Sequence, residues 1–416
     1  MFSICSNDTN IPHLVLMSSQ LTVCSSRIIL AVTTPSGDTM KLSCLQENLS
    51  RGLALVGRAV ATRTTLPITQ NVLLETDQSM LKISATNLEL GITTWVRADI
   101  ETEGSLTIPA RLLTDFVNSL PNETIEMTFT SQPVGMRFRC ARFEAHINGT
   151  DADEFPPIPS VDSGMIAKID PQVFRTAIGR VAFAAATEEA RPVLTGVSLK
   201  LSGSEFVLAG ADGFRLAVYK GQLSEPFQDE IEAIIPSRTL TELQRVIGDQ
   251  EEPIELVITP SRSQVMAHLK GVELVSQLIQ GTFPDYNQLI PQSYTTRTVL
   301  NLQEFIRVTR VSSNFARDGG GIIRLEVNNG ANDEVGKLMM TSRAEETGDN
   351  QGAMDANVEG EDAKIAFSSR YLLDVLSVLE RGDVALETTT PSSPGVIRSL
   401  GSENYVHVVM PMFVQW

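Results

Sequence analysis

The sequence predicts an α+β chain made of three copies of one domain, each with two helices packed on antiparallel sheets. Two observations predict it. A short apolar strand runs three times into a helix start whose third residue is arginine: Pro109-Ala110-Arg111-Leu112-Leu113, Pro236-Ser237-Arg238-Thr239-Leu240 and Ser368-Ser369-Arg370-Tyr371-Leu372. These arginines are 127 and 132 residues apart. A second set of anchors keeps the same beat: Phe155-Pro156-Pro157-Ile158, Phe283-Pro284-Asp285-Tyr286 and Met410-Pro411-Met412, with Phe155 and Phe283 128 residues apart and Pro284 and Pro411 127 apart. Repetition at a domain-sized period means one fold used three times. A chain of 416 residues that is 42% apolar has the material for three cores.

The expected domains are 40–164, 165–292 and 293–416. Residues 1–39 read differently. They are rich in Ser and Thr, include Pro35-Ser36-Gly37, and lack the basic start and apolar block of a signal peptide. They are expected to be an extension, either disordered or not native, with Met40 opening the folded part.

In the first repeat the helix is expected over 48–62. Leu49, Leu53, Val56 and Val60 fall on one stripe, and Arg51 and Arg58 lie on the opposite face. Val72-Leu73-Leu74-Glu75 and Leu81-Lys82-Ile83-Ser84 alternate like strands, and Asp77-Gln78-Ser79 between them reads as a hairpin turn. The second repeat matches this with Val197-Ser198-Leu199-Lys200, a turn at Gly203-Ser204, and Phe206-Val207-Leu208-Ala209. In its second helix Leu240, Leu243 and Ile247 form the stripe, with Arg238 and Arg245 turned away. The third has Ile322 to Val327 and Lys337 to Met340, joined by a longer loop. Arg310 and Arg317 repeat the spacing of Arg51 and Arg58.

Net charge is −17, which taken alone argues against nucleic acid. The charge is partitioned, however. The helical segments 47–63, 109–120, 170–185, 236–248, 301–317 and 369–381 hold thirteen arginines, seven acids and no lysine, a net +6. The remainder carries −23. Arginines along outward helix faces suit phosphate oxygens and cannot read bases without entering a groove, so binding should be sequence-independent and salt-sensitive.

Catalytic chemistry is not signalled. His13, His146, His268 and His407 have no partner at ligand spacing, so no metal or cofactor is expected. No phosphate loop, dinucleotide fingerprint or nucleophile elbow occurs. Asp318-Gly319-Gly320-Gly321 follows a helix and precedes a strand, the reverse of a phosphate cradle. Cys5, Cys24, Cys44 and Cys140 lack metal spacing and read as reduced thiols of a cytoplasmic protein. No apolar run approaches the ~18 residues of a membrane span.

Several longer motifs carry a family likeness: Arg63-Thr64-Thr65-Leu66-Pro67-Ile68, Ala211-Asp212-Gly213-Phe214-Arg215-Leu216, Phe283-Pro284-Asp285-Tyr286, Tyr371-Leu372-Leu373-Asp374-Val375-Leu376 and Val408-Val409-Met410-Pro411-Met412. In that order and spacing, from Met40 to Met412, the chain resembles the bacterial DNA polymerase sliding clamp, the beta subunit of DNA polymerase III. The resemblance implies three domains of the DNA-clamp fold in a head-to-tail homodimeric ring. Such a ring encircles duplex DNA, is a processivity factor without catalysis, and serves replication and repair. DNA contacts are then expected from Arg51, Arg58, Arg63, Arg111, Arg175, Arg180, Arg238, Arg245, Arg307, Arg310 and Arg317.

The resemblance also implies a pocket for short peptides of the polymerase, clamp loader and repair proteins. It would use Arg191, Leu194, Gly213, Phe214, Arg215, Leu216, Pro284, Leu289, Tyr371, Val408, Met410, Pro411 and Met412, with Arg191 or Arg215 taking a polar side chain of the peptide. At the dimer seam Phe143 and Ala145, on the strand through Arg142 and His146, would meet the partner's helix near Val311-Ser312. Phe214 stands where the family often has histidine, Glu188-Glu189 falls in a loop that often offers polar groups to DNA, and the tail Phe413-Val414-Gln415-Trp416 is long enough to shield the pocket. An enzyme with threefold repetition would need an acid–base or metal constellation the sequence does not offer. A scaffold that never touches DNA would leave the arginine faces unexplained.

Overall fold

Alternating burial and turn chemistry build the sheets. In the computed structural model, which describes residues 40–159, 164–188, 190–317, 320–330, 335–346 and 348–415, the expected first hairpin forms. Strands Asn71–Asp77 and Met80–Thr86 pair antiparallel, with Asp77 opposite Met80. The two turn residues, Gln78 and Ser79, both take positive φ, the backbone that matches the twist of a tight hairpin. Val72, Leu74, Leu81 and Ile83 face inward and are buried.

Each helix follows a strand and presents an apolar stripe. They are α1 (Gln46–Val56), α2 (Ala110–Ser119), α3 (Pro171–Val181), α4 (Ser237–Ile247), α5 (Leu302–Ala316) and α6 (Ser369–Val378). Asp170 caps α3 by accepting from the amides of Gln172 and Val173, and Asn301 caps α5 by accepting from that of Glu304. The first helix is shorter than the expected 48–62. It ends at Val56 and tightens into a 3-10 turn, Gly57–Ala59. Leu49, Leu53 and Val56 are buried as expected.

Among the described residues the strands form three antiparallel sheets, and two of these run across repeat boundaries. Strand Leu90–Arg97 of the first repeat pairs with Val272–Gln277 of the second. Strand Arg215–Pro236 of the second pairs with Tyr405–Val409 of the third. Inter-repeat hydrogen bonding thus uses the same two positions twice: an early strand of one repeat and the last strand of the next. The helices form a second layer, with α1 on α2, α3 on α4, α5 on α6, and α3 touching α6. They rest on the sheets, as α1 does on Leu90–Arg97 and α5 on Gly336–Ala344 and Gly348–Gly360.

One strand expectation is corrected. Gly203-Ser204 is not a hairpin turn. It lies inside the long strand Gly196–Ala211, where the register slips on both sides of Gly203. Gly203 takes φ +56, so the glycine serves a bulge that kinks the strand. The expected extension at 1–39 lies outside the described residues, and with it His13, Cys5 and Cys24. Asp318 and Gly319 also lie outside them, as does Trp416. Cys44 and Cys140 are buried free thiols, and burial pushes the Cys44 thiol up to about 12. No described helix is long and apolar enough to cross a membrane.

Candidate nucleic-acid interface and partner pocket

The repeated arginines land in the first turn of α2, α4 and α6, and Arg111, Arg238 and Arg370 are all exposed. Arg51, Arg63, Arg175, Arg245, Arg307, Arg310 and Arg317 are exposed as well. Several are lightly engaged on their own surface: Arg51 with Glu47 at 2.8 Å, and Arg175 with the Gly248 carbonyl at 3.1 Å. Exposed pairs of this kind contribute about 0–1 kcal/mol, so they leave the guanidinium groups available to phosphates. Arg58 is partly withdrawn. It crosses from the first repeat to Glu242 of α4 at 3.2 Å, and Arg245 reaches the same carboxylate at 2.8 Å.

Arg180 does not belong to this surface. It is buried, its Nη2 lies 2.5 Å from Glu380 Oε1, and its guanidinium stacks over the rings of Tyr219 and Tyr405, each at 5.7 Å. An arginine enclosed by two tyrosines and an acid of the next repeat is a joint between repeats, not a phosphate contact.

The expected pocket residues converge where the second and third repeats meet. Leu194, Leu216 and Val408 form a buried apolar cluster with Phe283, Tyr286 and Val396, separate from the main core. Leu216 and Val408 are directly opposite across the inter-repeat strand pair. The Met410 amide donates to the Phe214 carbonyl at 2.8 Å and the Met412 amide to that of Ala366 at 2.7 Å, which fixes the chain end beside the cluster. Phe214, Leu289 and Met410 stand at its rim, 57%, 53% and 41% exposed. Such a grouping of exposed apolar residues round an apolar floor is a candidate binding surface. Pro284 is exposed nearby, and Pro411 is buried.

Next to it lies a cavity of about 230 Å³ lined by Thr187, Glu188, Arg191, Asp212, Phe214, Arg370 and Tyr371 among others. Gly213 is favoured there by its backbone conformation. It takes φ +95, and a Cβ would sit 3.2 Å from Arg191 Nη1. Glu189 lies outside the described residues. The tail takes another course than over this pocket: Val414 lies with Ile322, Arg324, Arg343 and Asn350 at a different cavity, and Phe413 is exposed.

Arg215 has a role other than the expected one. Its Nε donates to Asp212 Oδ2 at 3.0 Å, its Nη1 to Asp374 Oδ2 at 2.6 Å and its Nη2 to the Phe183 carbonyl at 2.7 Å. Its guanidinium stacks on Tyr371 at 4.6 Å and on Phe183 at 5.3 Å. Each of its three nitrogens already donates to a protein acceptor, and with side-chain exposure of 6% little of the guanidinium faces a ligand. Asp212 meanwhile accepts from the amides of Phe214 and Arg215, shaping the turn that holds Gly213. Arg191 and Arg370 are the exposed cations of this pocket, and Arg370 was not expected there. The signal existed: it precedes Tyr371 in the motif used for the pocket.

His407 completes the joint. It is fully buried, stacked on Phe183 and Tyr405, and its Nε2 has no hydrogen-bond partner among the described residues. Burial, with the Arg215 charge adding to it, pushes the imidazole down to about 3. The folded state therefore refuses a proton that the unfolded chain accepts near the ordinary value of about 6.5. Its stability contribution is full above that value and is lost as pH falls toward the folded one. From pH 7 to 5 the histidine should cost about 2 kcal/mol. Urea unfolding of His407→Phe should lose less stability than the parent over that interval, and equal losses would rule His407 out as the cause.

Comparisons with known proteins agree with this architecture. Family models of the DNA polymerase III beta subunit match in order: its N-terminal domain at 40–159, its central domain at 168–285 and its C-terminal domain at 287–413. The beta sliding clamp of Synechocystis sp. is 32% identical over 394 residues, spanning 90% of this chain and 99% of that one. The beta sliding clamp of Bacillus subtilis is 30% identical over 383 residues, with the same shares. The solved B. subtilis clamp superposes with a TM-score of 0.84 over 90% of this chain and 100% of that one, at 30% identity. The Thermotoga maritima DNA polymerase III beta subunit gives 0.82 at 26% identity, again over 90% and 100%. With three repeats joined by continuous sheets, an arginine-bearing helix layer and these matches over the whole repeated region, the chain belongs to the DNA polymerase III beta subunit family, the beta sliding clamps that act as the processivity factor of DNA replication.

Proposed function

We propose that two copies of this chain close head to tail into a ring around duplex DNA, and that each copy holds partner proteins through the pocket between its second and third repeats. The carrying observation is the pair of open strand edges. Within the chain, the last strand of a repeat pairs with an early strand of the repeat before it, twice over. Among the described residues, the last strand of the first repeat, Phe143–Asn148, has strand neighbours on one side only. In the third repeat, Gly348–Gly360 pairs along one side with Gly336–Ala344, while on its other side the described pairing covers 357–360 alone. Open edges invite strand addition. Joining Phe143–Asn148 to the free stretch of a second copy repeats the internal rule. Phe143, at 53% exposure, and Val311, at 45%, supply apolar surface beside it, and Ser312 hydrogen-bonds Asn350 on that very stretch. Ala145 lies on the same edge strand.

In this reading the arginines contact phosphates and the protein carries no catalytic site of its own. DNA, the polymerase, the clamp loader and repair proteins are its partners, in the cytoplasm. The phosphate set is Arg51, Arg58, Arg63, Arg111, Arg175, Arg238, Arg245, Arg307, Arg310 and Arg317, with Arg180 withdrawn. Replacing exposed Arg63 and Arg238 together by Glu should weaken equilibrium binding to short linear duplex DNA at least tenfold and flatten its salt dependence, with unchanged thermal unfolding. Unaltered affinity would remove the phosphate contacts from the account.

A further inference from the structure

The second helix of every repeat carries one more regularity: an arginine, a leucine two residues on and an acid four residues on. The three sets are Arg111, Leu113 and Asp115; Arg238, Leu240 and Glu242; Arg370, Leu372 and Asp374. The leucine is buried each time. At about 100° per residue the acid stands on the far side of the helix from that leucine, facing away from its own core.

In α4 and α6 the acid binds an arginine of the preceding repeat. Glu242 accepts from Arg58 at 3.2 Å and Asp374 from Arg215 at 2.6 Å. Asp115, in α2, has no preceding repeat within its own chain. It is 73% exposed, and its charge contact is with Arg111 of the same helix at 4.0 Å. The same sequence position is thus used at both internal joints and left open at the end of the chain that ring closure brings against a second copy.

We propose that Asp115 is half of an ionic lock across the subunit seam, closed by Arg310 and Arg317 of a second copy. Counting from the helix starts Gln46 and Leu302, the place of Arg58 falls at Asn314, with Arg310 one turn before it and Arg317 one turn after. Both are exposed, and neither has an acidic partner among the described residues. Their helix is tied through its buried face to the open strand edge by the Ser312–Asn350 hydrogen bond, and Arg310 and Arg317 stand on the face turned away from that bond, as Arg58 stands away from buried Val56. The lock makes closure salt-sensitive and orients the two copies as the internal joints are oriented. It rests on the ring reading above.

The test is the dimer dissociation constant measured by sedimentation without DNA. Asp115→Arg should raise it at least tenfold, as should Arg310→Glu combined with Arg317→Glu. The three changes together, which swap the charges, should bring it back to within about threefold of the parent. Because all three side chains are exposed, thermal unfolding of a matched concentration series verifies that each variant is folded. A dissociation constant unchanged by Asp115→Arg overturns the lock, and failure of the swap to restore dimerisation overturns its pairing with α5. A parent protein that stays monomeric at every concentration overturns the ring reading itself.

Discussion

Replacing Arg215 with Ala is expected to lower the stability of the folded chain by about 3–5 kcal/mol, because it leaves the Asp212 and Asp374 carboxylates and the Phe183 carbonyl without their partner. The arginine is enclosed, its three nitrogens are all committed, and two aromatic rings cover its faces. The partially open side of Asp374, at 35% exposure, places the cost toward the lower end. Arg215→Lys keeps the charge but not the planar fork or the stacking, so it should recover only part of the loss. Urea unfolding measures both. The turn at Asp212 hangs on the same arginine, so peptide binding should weaken as well. A change under about 1 kcal/mol for the alanine variant would show that Arg215 does not pin the second repeat to the third.

Met410→Asp is expected to weaken binding of a short apolar clamp-binding peptide at least a hundredfold. The rim of the pocket is built from Met410, Phe214 and Leu289, over a floor of Leu216 and Val408. A bound peptide would cover the new carboxylate with apolar surface, and burying a charge without a partner costs several kcal/mol. Met410 is part exposed in the free protein, so the variant should fold. Its backbone amide, which donates to Phe214, is untouched. A fluorescent peptide titrated against both proteins gives the answer, and equal affinities would remove this site. Dimerisation should not change, since Met410 lies on the joint between the second and third repeats and Asp115 in the first.

What the sequence shows and hides has a physical pattern here. The helix starts at Arg111, Arg238 and Arg370 were legible because they rest on local periodicity repeated three times, and local periodicity survives any tertiary arrangement. The fate of an individual arginine was not. Arg175 and Arg180 lie in one helix, yet Arg175 is exposed while Arg180 is buried against Glu380, 200 residues away. Nothing within the helix announces that partner. Arg215 lines the cavity beside the expected pocket, but its donors go to acids of the turn before it and of a helix 159 residues on, a pairing that no local pattern announces. Gly203-Ser204 reads as a turn in the sequence because a bulge and a turn both call for a glycine at positive φ.

The central claim, that the chain acts by closing round DNA, is tested most directly by following the labelled protein on DNA circles before and after a single cut. The protein is first loaded onto nicked circular duplex, by its loader or by reversible opening at high concentration, and its dissociation is timed. The account predicts slow loss from closed circles and rapid loss by sliding once the DNA has free ends, with at least a tenfold difference in half-life. Equal half-lives on circular and linear DNA would contradict it.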